Sequence, residues 1–346
     1  MPKSTRPSLD PHGITARVLR FITGLAIMAG FFSGASAAPV VTDLNQAALD
    51  AALAAKTGPM RDFIQTLEHA MLTGETEKAE ALVDREAILT RALQRSRFQG
   101  DEPVRDLFCD STRRAWGERG VTNDFTNTKF RYLRTRVLGG RAGLLFRSST
   151  ASGALNFALF TVNETKPGQY RITDVFVVGL NEFMSDTIRR TWLNVAAGFL
   201  GEDAKAIKGV NPDYVTHIGE VAQASRLMNA GKYEEALKIA RTLPAPVQRE
   251  RSVLLLRIES AEHISTMESR EAYTAWLSTL PDEQELPLKF VQFYIQERRY
   301  ADAERVLRGL MERLGPDTML SRELGDILFR RDNDKAYVAE AGVKAE

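Results

Sequence analysis

The 346-residue chain carries 46 basic and 45 acidic side chains, for a formal net charge of +1 at pH 7. This balance excludes a strong overall basic field of the kind that attracts nucleic acid, and the 44% of hydrophobic residues exclude a wholly disordered chain. The single cysteine excludes an intramolecular disulfide and a zinc site built from several cysteines.

The N-terminus has the parts of a secretory signal peptide in the required order. Four basic residues come first: Lys3, Arg6, Arg17 and Arg20. The apolar run Phe21–Phe32 follows, and the small residues Ala-Ser-Ala end at Ala37. Because a spanning helix needs about 20 apolar residues, this run favours cleavage near Ala37 over a permanent membrane span. We expect a signal peptide over 1–37 and a periplasmic or secreted protein, with a buried N-terminal helix as the alternative.

An Ala-rich tether is predicted over 38–56, where Asp43 is a candidate helix cap. An α+β domain is predicted over 57–200, and it begins with helices. Five apolar residues with helical spacing predict the first helix: Met60, Phe63, Ile64, Leu67 and Met71. Gly74 ends this helix, Asp84 caps a later one, and a further helix covers Val104–Trp116. Cys109 lies on that last helix and is interpreted as a buried thiol.

The residue pattern then changes to the two-residue alternation of β-strands. Four strands are predicted: Lys129–Leu138, Arg141–Arg147, Ala154–Val162 and Tyr170–Val178. Gly139-Gly140 is a strong hairpin signal, and the short connections predict an antiparallel sheet. A closing helix capped by Ser185 is expected to turn four apolar residues inward: Ile188, Trp192, Ala196 and Phe199. Helices followed by an antiparallel meander predict an α+β layout.

The segment YRITDVFVVGLNEFMSDTIRR (170–190) resembles the final strand and closing segment of the nuclear-transport-factor-2-like superfamily. This superfamily is also called the cystatin-like or ketosteroid-isomerase-like cone. The segment is also similar to the last strand of periplasmic phospholipid-shuttle proteins. The resemblance implies a curved sheet around an apolar pocket that can hold a ligand or a catalytic carboxyl group.

The candidate pocket residues are Tyr132, Arg134, Asp174 and Phe176. Asp174 is in mid-strand, and the two-residue period places Ile172 and Phe176 on its face. The favoured interpretation is that Asp174 pairs with an arginine across the sheet, such as Arg134 or Arg136, because buried carboxylates need partners. The alternative is an unpaired carboxyl group whose raised pKa suits acid–base chemistry.

Arginines recur along the first two predicted strands: Arg131, Arg134, Arg136, Arg141 and Arg147. Such residues beside aromatic ones can recognise an anionic lipid headgroup, a sugar or nucleic acid, and export makes nucleic acid the least favoured of the three. Simple alternation places Arg134 and Arg136 on one face and Arg131 on the other. This pattern predicts a solvated outer face without a single basic patch.

Residues 201–346 have helical spacing throughout. The segment EVAQASRLMNAGKYEEALKIARTLPAP (220–246) resembles a tetratricopeptide repeat. Ala236, Ala272 and Ala303 recur with an average spacing close to the period of about 34 residues of that repeat. The resemblance implies a partner groove lined by Ser225, Met228, Asn229, Gln292 and Gln296. A helical bundle without repeats is the alternative, as is a helical region that only braces the sheet domain.

No catalytic residue, cofactor or metal site is predicted. The three histidines after the signal peptide, His69, His217 and His263, form no HExxH pair, and the P-loop, GxGxxG and GxSxG motifs are absent. The first hypothesis is therefore an exported, non-catalytic adaptor that binds a protein partner in the cell envelope. The second is a carrier of an apolar or lipidic ligand, and the third is an isomerase- or hydratase-like enzyme of the ketosteroid-isomerase type.

Overall fold

The computed structural model describes residues 41–94, 102–122, 125, 128–150, 155–200, 211–279 and 288–343. The predicted signal peptide lies outside these residues, as do Ala154 and the side chain of Phe199. Within them the chain forms a five-stranded antiparallel sheet and fifteen helices. The predicted mixed α+β class is confirmed, while the cone shape and the repeat architecture stay predictions.

Residues 41–200 contain all five strands of the described chain. The helices before the sheet are α1 (Gln46–Leu53), α2 (Pro59–Thr73), α3 (Thr76–Glu80), α4 (Arg85–Leu93) and α5 (Glu102–Arg119). The strands are β1 (Lys129–Leu138), β2 (Arg141–Ser149), β3 (Leu155–Lys166), β4 (Gln169–Val177) and β5 (Glu182–Phe183), and α6 (Met184–Leu200) follows them. The strands pair in sequence order, as short connections require.

Residues 211–343 form helices only. These are α7 (Pro212–Thr216), α8 (Ile218–Asn229), α9 (Tyr233–Thr242), α10 (Ala245–Gln248), α11 (Arg251–Glu262), α12 (Thr266–Leu277), α13 (Lys289–Gln296), α14 (Tyr300–Leu314) and α15 (Thr318–Val343). Successive helices pack in pairs: α8 with α9, α11 with α12, and α13 with α14. In addition, α11 contacts α8 and α9, and α14 contacts α15. Ala236, Ala272 and Ala303 are buried in this array, where small side chains allow close helix contact.

Local signals account for most of the predicted elements. The five apolar residues of α2 are all buried, and Gly74 ends the helix in the left-handed conformation at φ 73°. Asp84 caps α4 by accepting a hydrogen bond of 2.9 Å from the Ala87 N–H. The residues of the hairpin, Gly139 and Gly140, have φ values of 55° and 75°, which a tight hairpin turn requires.

The segment assigned to a tether contains α1, which buries Leu49 and Leu53 in the core. Its N-cap is Asn45, whose side chain accepts a hydrogen bond of 2.9 Å from Ala48 N–H. Asp43 instead pairs with Arg91 of α4 through two contacts of 2.7 Å. Residues 41–56 therefore belong to the packed structure of the sheet domain.

Both faces of the sheet are covered at the central strand β3. Consecutive residues of β3 from Phe157 to Val162 are buried, although successive side chains of a strand point to opposite faces. Four phenylalanines pack together, with Phe130, Phe146 and Phe160 supplied by three adjacent strands and Phe125 by the preceding segment. This packing fills one side of the sheet with aromatic rings.

The helical region joins the sheet domain through ion pairs and hydrogen bonds. Arg147 of β2 contacts Asp317, which precedes α15, at 2.6 Å. Asn181, before β5, accepts a hydrogen bond of 2.6 Å from Arg313 of α14. Glu182 of β5 is paired twice with Arg190 of α6 at 2.9 Å, and Arg251 of α11 lies 3.4 Å from the same carboxylate. The two parts therefore share one interface that involves buried charges.

Candidate functional site

Five arginines share one face of the sheet, which we call the arginine face: Arg131, Arg134, Arg136, Arg141 and Arg147. A shift in the β1–β2 register produces this alignment. Tyr132 lies opposite Phe146 and Arg134 lies opposite Leu145, so Leu133 is an extra residue on β1. Residues on opposite sides of such a bulge no longer follow simple alternation. Arg131, which pairs with Arg147, therefore lies on the same face as Arg134 and Arg136.

This alignment corrects the prediction from simple alternation, which placed Arg131 on the other face and found no common patch. The bulge cannot be read from the local pattern because it depends on how β1 is held against its neighbours. The Tyr132 N–H, beside the bulge, donates to the carboxylate of Glu68 on α2 rather than to another strand. A long-range contact thus accompanies the change of register.

Asp174 of β4 lies on the arginine face and has no exposed surface. Its carboxylate accepts a hydrogen bond of 2.6 Å from Arg141 Nη1, and the main chain and hydroxyl of Ser185 also donate to it. The sequence predicted a buried carboxylate paired with an arginine, and named Arg134 or Arg136 as examples. The structure pairs it with Arg141, which follows the β1–β2 hairpin. Ser185 lies in the first turn of α6, where it bonds to Asp174.

A second register shift determines the neighbours of Asp174. Ile172 lies opposite Val162 and Asp174 lies opposite Thr161, so Thr173 is an extra residue on β4. Ile172 and Asp174 therefore face opposite sides of the sheet, contrary to the expectation from a two-residue period. Phe176 does share the face of Asp174, as predicted.

The hydrophobic surroundings of the Asp174–Arg141 pair come from β4 and β5. Phe176 packs edge-on against Phe183 at 5.0 Å between ring centroids. The Arg141 guanidinium lies over the Phe183 ring, with 3.2 Å from Cζ to the ring centroid. Arg141 is thus held between a carboxylate and an aromatic face.

A second ion pair adjoins this carboxylate. Arg91, which is bonded to Asp43, places its Nε 3.9 Å from Asp174 Oδ2. Burial raises the pKa of Asp174, and the opposing charge of Arg141 and the Ser185 hydrogen bond do not cancel this effect. The result is a closed network of two carboxylates and two guanidinium groups that ties the N-terminal segment and α4 to the sheet.

The four predicted pocket residues are not brought together. The register places Arg134, Asp174 and Phe176 on the arginine face, whereas Tyr132 lies opposite Phe146 on the other face. Tyr132 packs edge-on against Phe146 at 5.5 Å between centroids. Burial raises the pKa of its phenol. Tyr132 therefore belongs to the aromatic side of the sheet.

The predicted groove residues also lie in different environments. Ser225 and Met228 are buried in the helical core. Gln292 donates a hydrogen bond of 2.7 Å to Glu323 of α15, while Asn229 and Gln296 are exposed. On α11, consecutive residues from Val253 to Leu256 are buried, so this helix is enclosed on all sides. An open groove along the first helix of each pair is therefore interrupted at α11.

Two observations concern metal-ligating side chains and the single thiol. Within the described residues, no group of three or more His, Cys, Asp or Glu side chains is arranged to hold a metal ion. Cys109 is buried on α5, and burial raises the pKa of its thiol to about 11. The thiol is therefore protonated at neutral pH, as expected for a packed side chain.

No known protein family, curated protein or solved structure matches the chain. In the part of the chain that the structure describes, no helix combines the length and apolar character needed to cross a membrane.

Proposed function

We propose that this protein is an exported, non-catalytic binding protein that contacts a protein partner through its helical region. The observation that carries this proposal is the succession of helix pairs α8/α9, α11/α12 and α13/α14, with buried alanines where helices meet. Stacked helix pairs of this kind resemble tetratricopeptide repeats, which present extended surfaces to other proteins. Because α11 is enclosed, the proposed partner surface involves exposed positions on α8 and α13, including Asn229 and Gln296.

The environment of Asp174 supports this proposal over the enzyme hypothesis. A general acid or base must reach a proton of the substrate. Asp174 has no exposed surface, and Arg141 and Ser185 occupy its oxygens. The best candidate from the sequence is therefore better explained as part of the structural network.

The aromatic side of the sheet supports the adaptor over the carrier. Phe146 lies 4.8 Å from Phe130 and 5.3 Å from Phe160, measured between ring centroids. These rings contact one another at ordinary packing distances. An apolar ligand would have to displace them.

The partner surface can be tested by substituting Asn229 and Gln296 in the same variant. Tagged wild-type protein, an Asn229→Arg/Gln296→Arg variant and the control Gln169→Arg would be cross-linked in the native cell and analysed by quantitative mass spectrometry. Gln169 is exposed at the start of β4, far along the chain from the helical region. We expect one partner to be recovered with wild type and control and lost with the double variant. Equal recovery from all three proteins would contradict the proposed surface.

Export and ligand carriage need separate measurements. Cell fractionation with N-terminal sequencing tests whether the chain leaves the cytoplasm and begins after Ala37. Native mass spectrometry of the purified protein tests the carrier hypothesis, because a stoichiometric apolar ligand would favour that hypothesis over the adaptor.

A further inference from the structure

Arginines outnumber their carboxylate partners where the sheet meets the turn between α14 and α15. Arg147 is paired with Asp317 at 2.6 Å. Arg134 donates to the main-chain oxygen of Pro316, and Arg136 donates to that of Thr135 at 3.3 Å. Within the described residues, no ion pair joins Arg134 or Arg136 to a carboxylate. The junction thus carries two guanidinium charges beyond those that the Arg147–Asp317 pair neutralises.

The two guanidinium groups lie side by side against the backbone of Gly315. A Cβ atom on Gly315 would lie 2.5 Å from Arg134 Nη1 and in still closer contact with Arg136 Nη2. Gly315 also has a φ of 85°, which favours glycine. The absence of a side chain therefore lets the turn approach both arginines. Like charges held this closely repel each other, and an anion between them removes that repulsion.

Hydrogen-bond donors at the junction are also incompletely used. The Nε atoms of Arg134 and Arg147 are buried and have no acceptor. Buried donors normally bond to an acceptor, since leaving one unpaired costs free energy. Arg134 and Arg136 are nevertheless only half-buried, so part of each side chain is accessible from solvent. The cluster therefore combines unpaired positive charge and an incompletely used set of donors with side chains that solvent partly reaches.

The nearest carboxylate, Asp317 at the start of α15, already has its own partners. Asp317 caps this helix by accepting hydrogen bonds from the N–H groups of Met319 and Leu320 at 2.9 and 3.2 Å. Its carboxylate is shared with Arg147, so a single negative charge faces both the helix terminus and that arginine. The Asp317 carboxylate therefore forms an ion pair with Arg147 and forms none with Arg134 or Arg136 among the described residues.

We propose that Arg134 and Arg136 form a binding site for a phosphate-type oxyanion at this junction. Guanidinium groups present paired N–H donors that match the oxygens of phosphate, and two adjacent guanidinium groups match its charge. The anion is either free phosphate or the phosphate of a phospholipid headgroup. The site is independent of the proposed partner surface on α8 and α13, so either proposal can fail without the other.

The test measures phosphate binding to the full chain by isothermal titration calorimetry at constant ionic strength. Inorganic phosphate is the first probe, and vesicles of phosphatidylglycerol or of phosphatidylcholine alone are the second. We expect saturable binding that weakens at least tenfold in Arg134→Gln/Arg136→Gln. The control Arg171→Gln, which changes an exposed arginine of β4, is expected to bind as wild type does. Binding of inorganic phosphate identifies the free anion, and arginine-dependent binding of phosphatidylglycerol vesicles alone identifies the headgroup.

A second variant distinguishes loss of the binding site from loss of the folded structure. Arg134→Lys/Arg136→Lys keeps both charges but removes the paired donors, so we expect a folded protein with intermediate affinity. Circular dichroism would establish folding for each variant. Absence of saturable binding by wild type to every probe would overturn the proposal, as would equal binding by wild type and the glutamine variant.

Discussion

Asp174 connects three separate parts of the chain through one carboxylate. It accepts hydrogen bonds from Arg141 and Ser185, and Arg91 lies 3.9 Å away with its own partner, Asp43. A buried carboxylate is costly to desolvate, and it is tolerated here because donors surround it. The net stabilisation by such a pair is small compared with the cost of removing one member.

Replacing Asp174 with asparagine should therefore destabilise the fold. The substitution keeps the shape but leaves Arg141 without its buried negative partner. We expect a loss of about 3 kcal/mol in the free energy of unfolding, at the low end for a broken buried pair because Arg141 is partly exposed. Urea unfolding followed by circular dichroism measures this loss.

The matched control for this substitution is Asp186→Asn. Asp186 lies 3.8 Å from the same arginine, but its side chain is 54% exposed. We expect a change below about 0.5 kcal/mol, as is usual for exposed pairs. Similar losses in the two variants would show that burial of Asp174 does not determine its contribution.

At the scale of a single turn, the two hairpin glycines differ in their surroundings. Both have positive φ, but a Cβ atom on Gly139 would lie 2.7 Å from the Phe183 ring, whereas a Cβ on Gly140 would meet nothing within 4 Å. Gly140→Ala should cost about 1 kcal/mol from backbone strain alone. Gly139→Ala should cost about 1–3 kcal/mol more because the ring must move. Thermal unfolding of both variants tests the order, and a larger loss for Gly140→Ala would refute it.

Four of the five strands and most helices of the described chain could be predicted from the sequence because their signals are local, whereas the two-residue strand β5 was not predicted. Two-residue alternation and Gly139-Gly140 indicated the first hairpin, and Asp84 indicated a helix start. The arginine face was missed because one extra residue, Leu133, reverses the alternation along β1. Nothing in the local pattern distinguishes a strand with a bulge from one without it. The sequence predicted an arginine partner for Asp174 across the sheet but not that this arginine is Arg141, because the choice depends on how the strands align.

At the scale of the molecule, Glu182 links α6 to α11 through Arg190 and Arg251. Burial raises the pKa of Glu182, but the charges of these arginines and the hydrogen bonds from Arg190 and Thr187 outweigh burial and hold this pKa below its ordinary value. A carboxyl group whose pKa is lowered on folding stabilises the native state at any pH above its pKa in the unfolded chain. This contribution to the free energy of unfolding is lost as the pH falls through its pKa in the native state.

Glu182→Gln should accordingly be less stable than wild type by about 3 kcal/mol at pH 7. The difference should narrow as pH falls below the ordinary glutamate pKa, because the carboxyl group of the unfolded wild type then takes up a proton, while the native carboxyl group, with its lowered pKa, does so only at lower pH. Urea unfolding at pH 7 and at pH 3.5 measures both differences. Glu312→Gln on α14 is an exposed control with a small expected effect at both values. A constant difference for Glu182→Gln would contradict the assigned role of its charge.

At the junction between the sheet and the helical region, Asp317 forms an ion pair and also caps a helix, and substitutions can separate these two interactions. Its side chain is almost fully buried, pairs with Arg147 and caps α15. Asparagine is also a good N-cap, so Asp317→Asn removes the ion pair and keeps the cap. Asp317→Ala removes both.

We expect Asp317→Asn to lower the free energy of unfolding by about 3 kcal/mol and Asp317→Ala by about 1 kcal/mol more. If the ion pair holds α15 against the sheet, amide hydrogen exchange should also become faster in Asp317→Asn around the α14–α15 turn and the first turns of α15. Exchange in the Gly139-Gly140 hairpin should stay unchanged, because that hairpin is held by its own strands. The exposed residue Asp326 on α15 supplies the control Asp326→Asn, for which exchange should match wild type. Wild-type exchange rates in Asp317→Asn would mean that the Arg147–Asp317 ion pair has no part in holding α15 against the sheet.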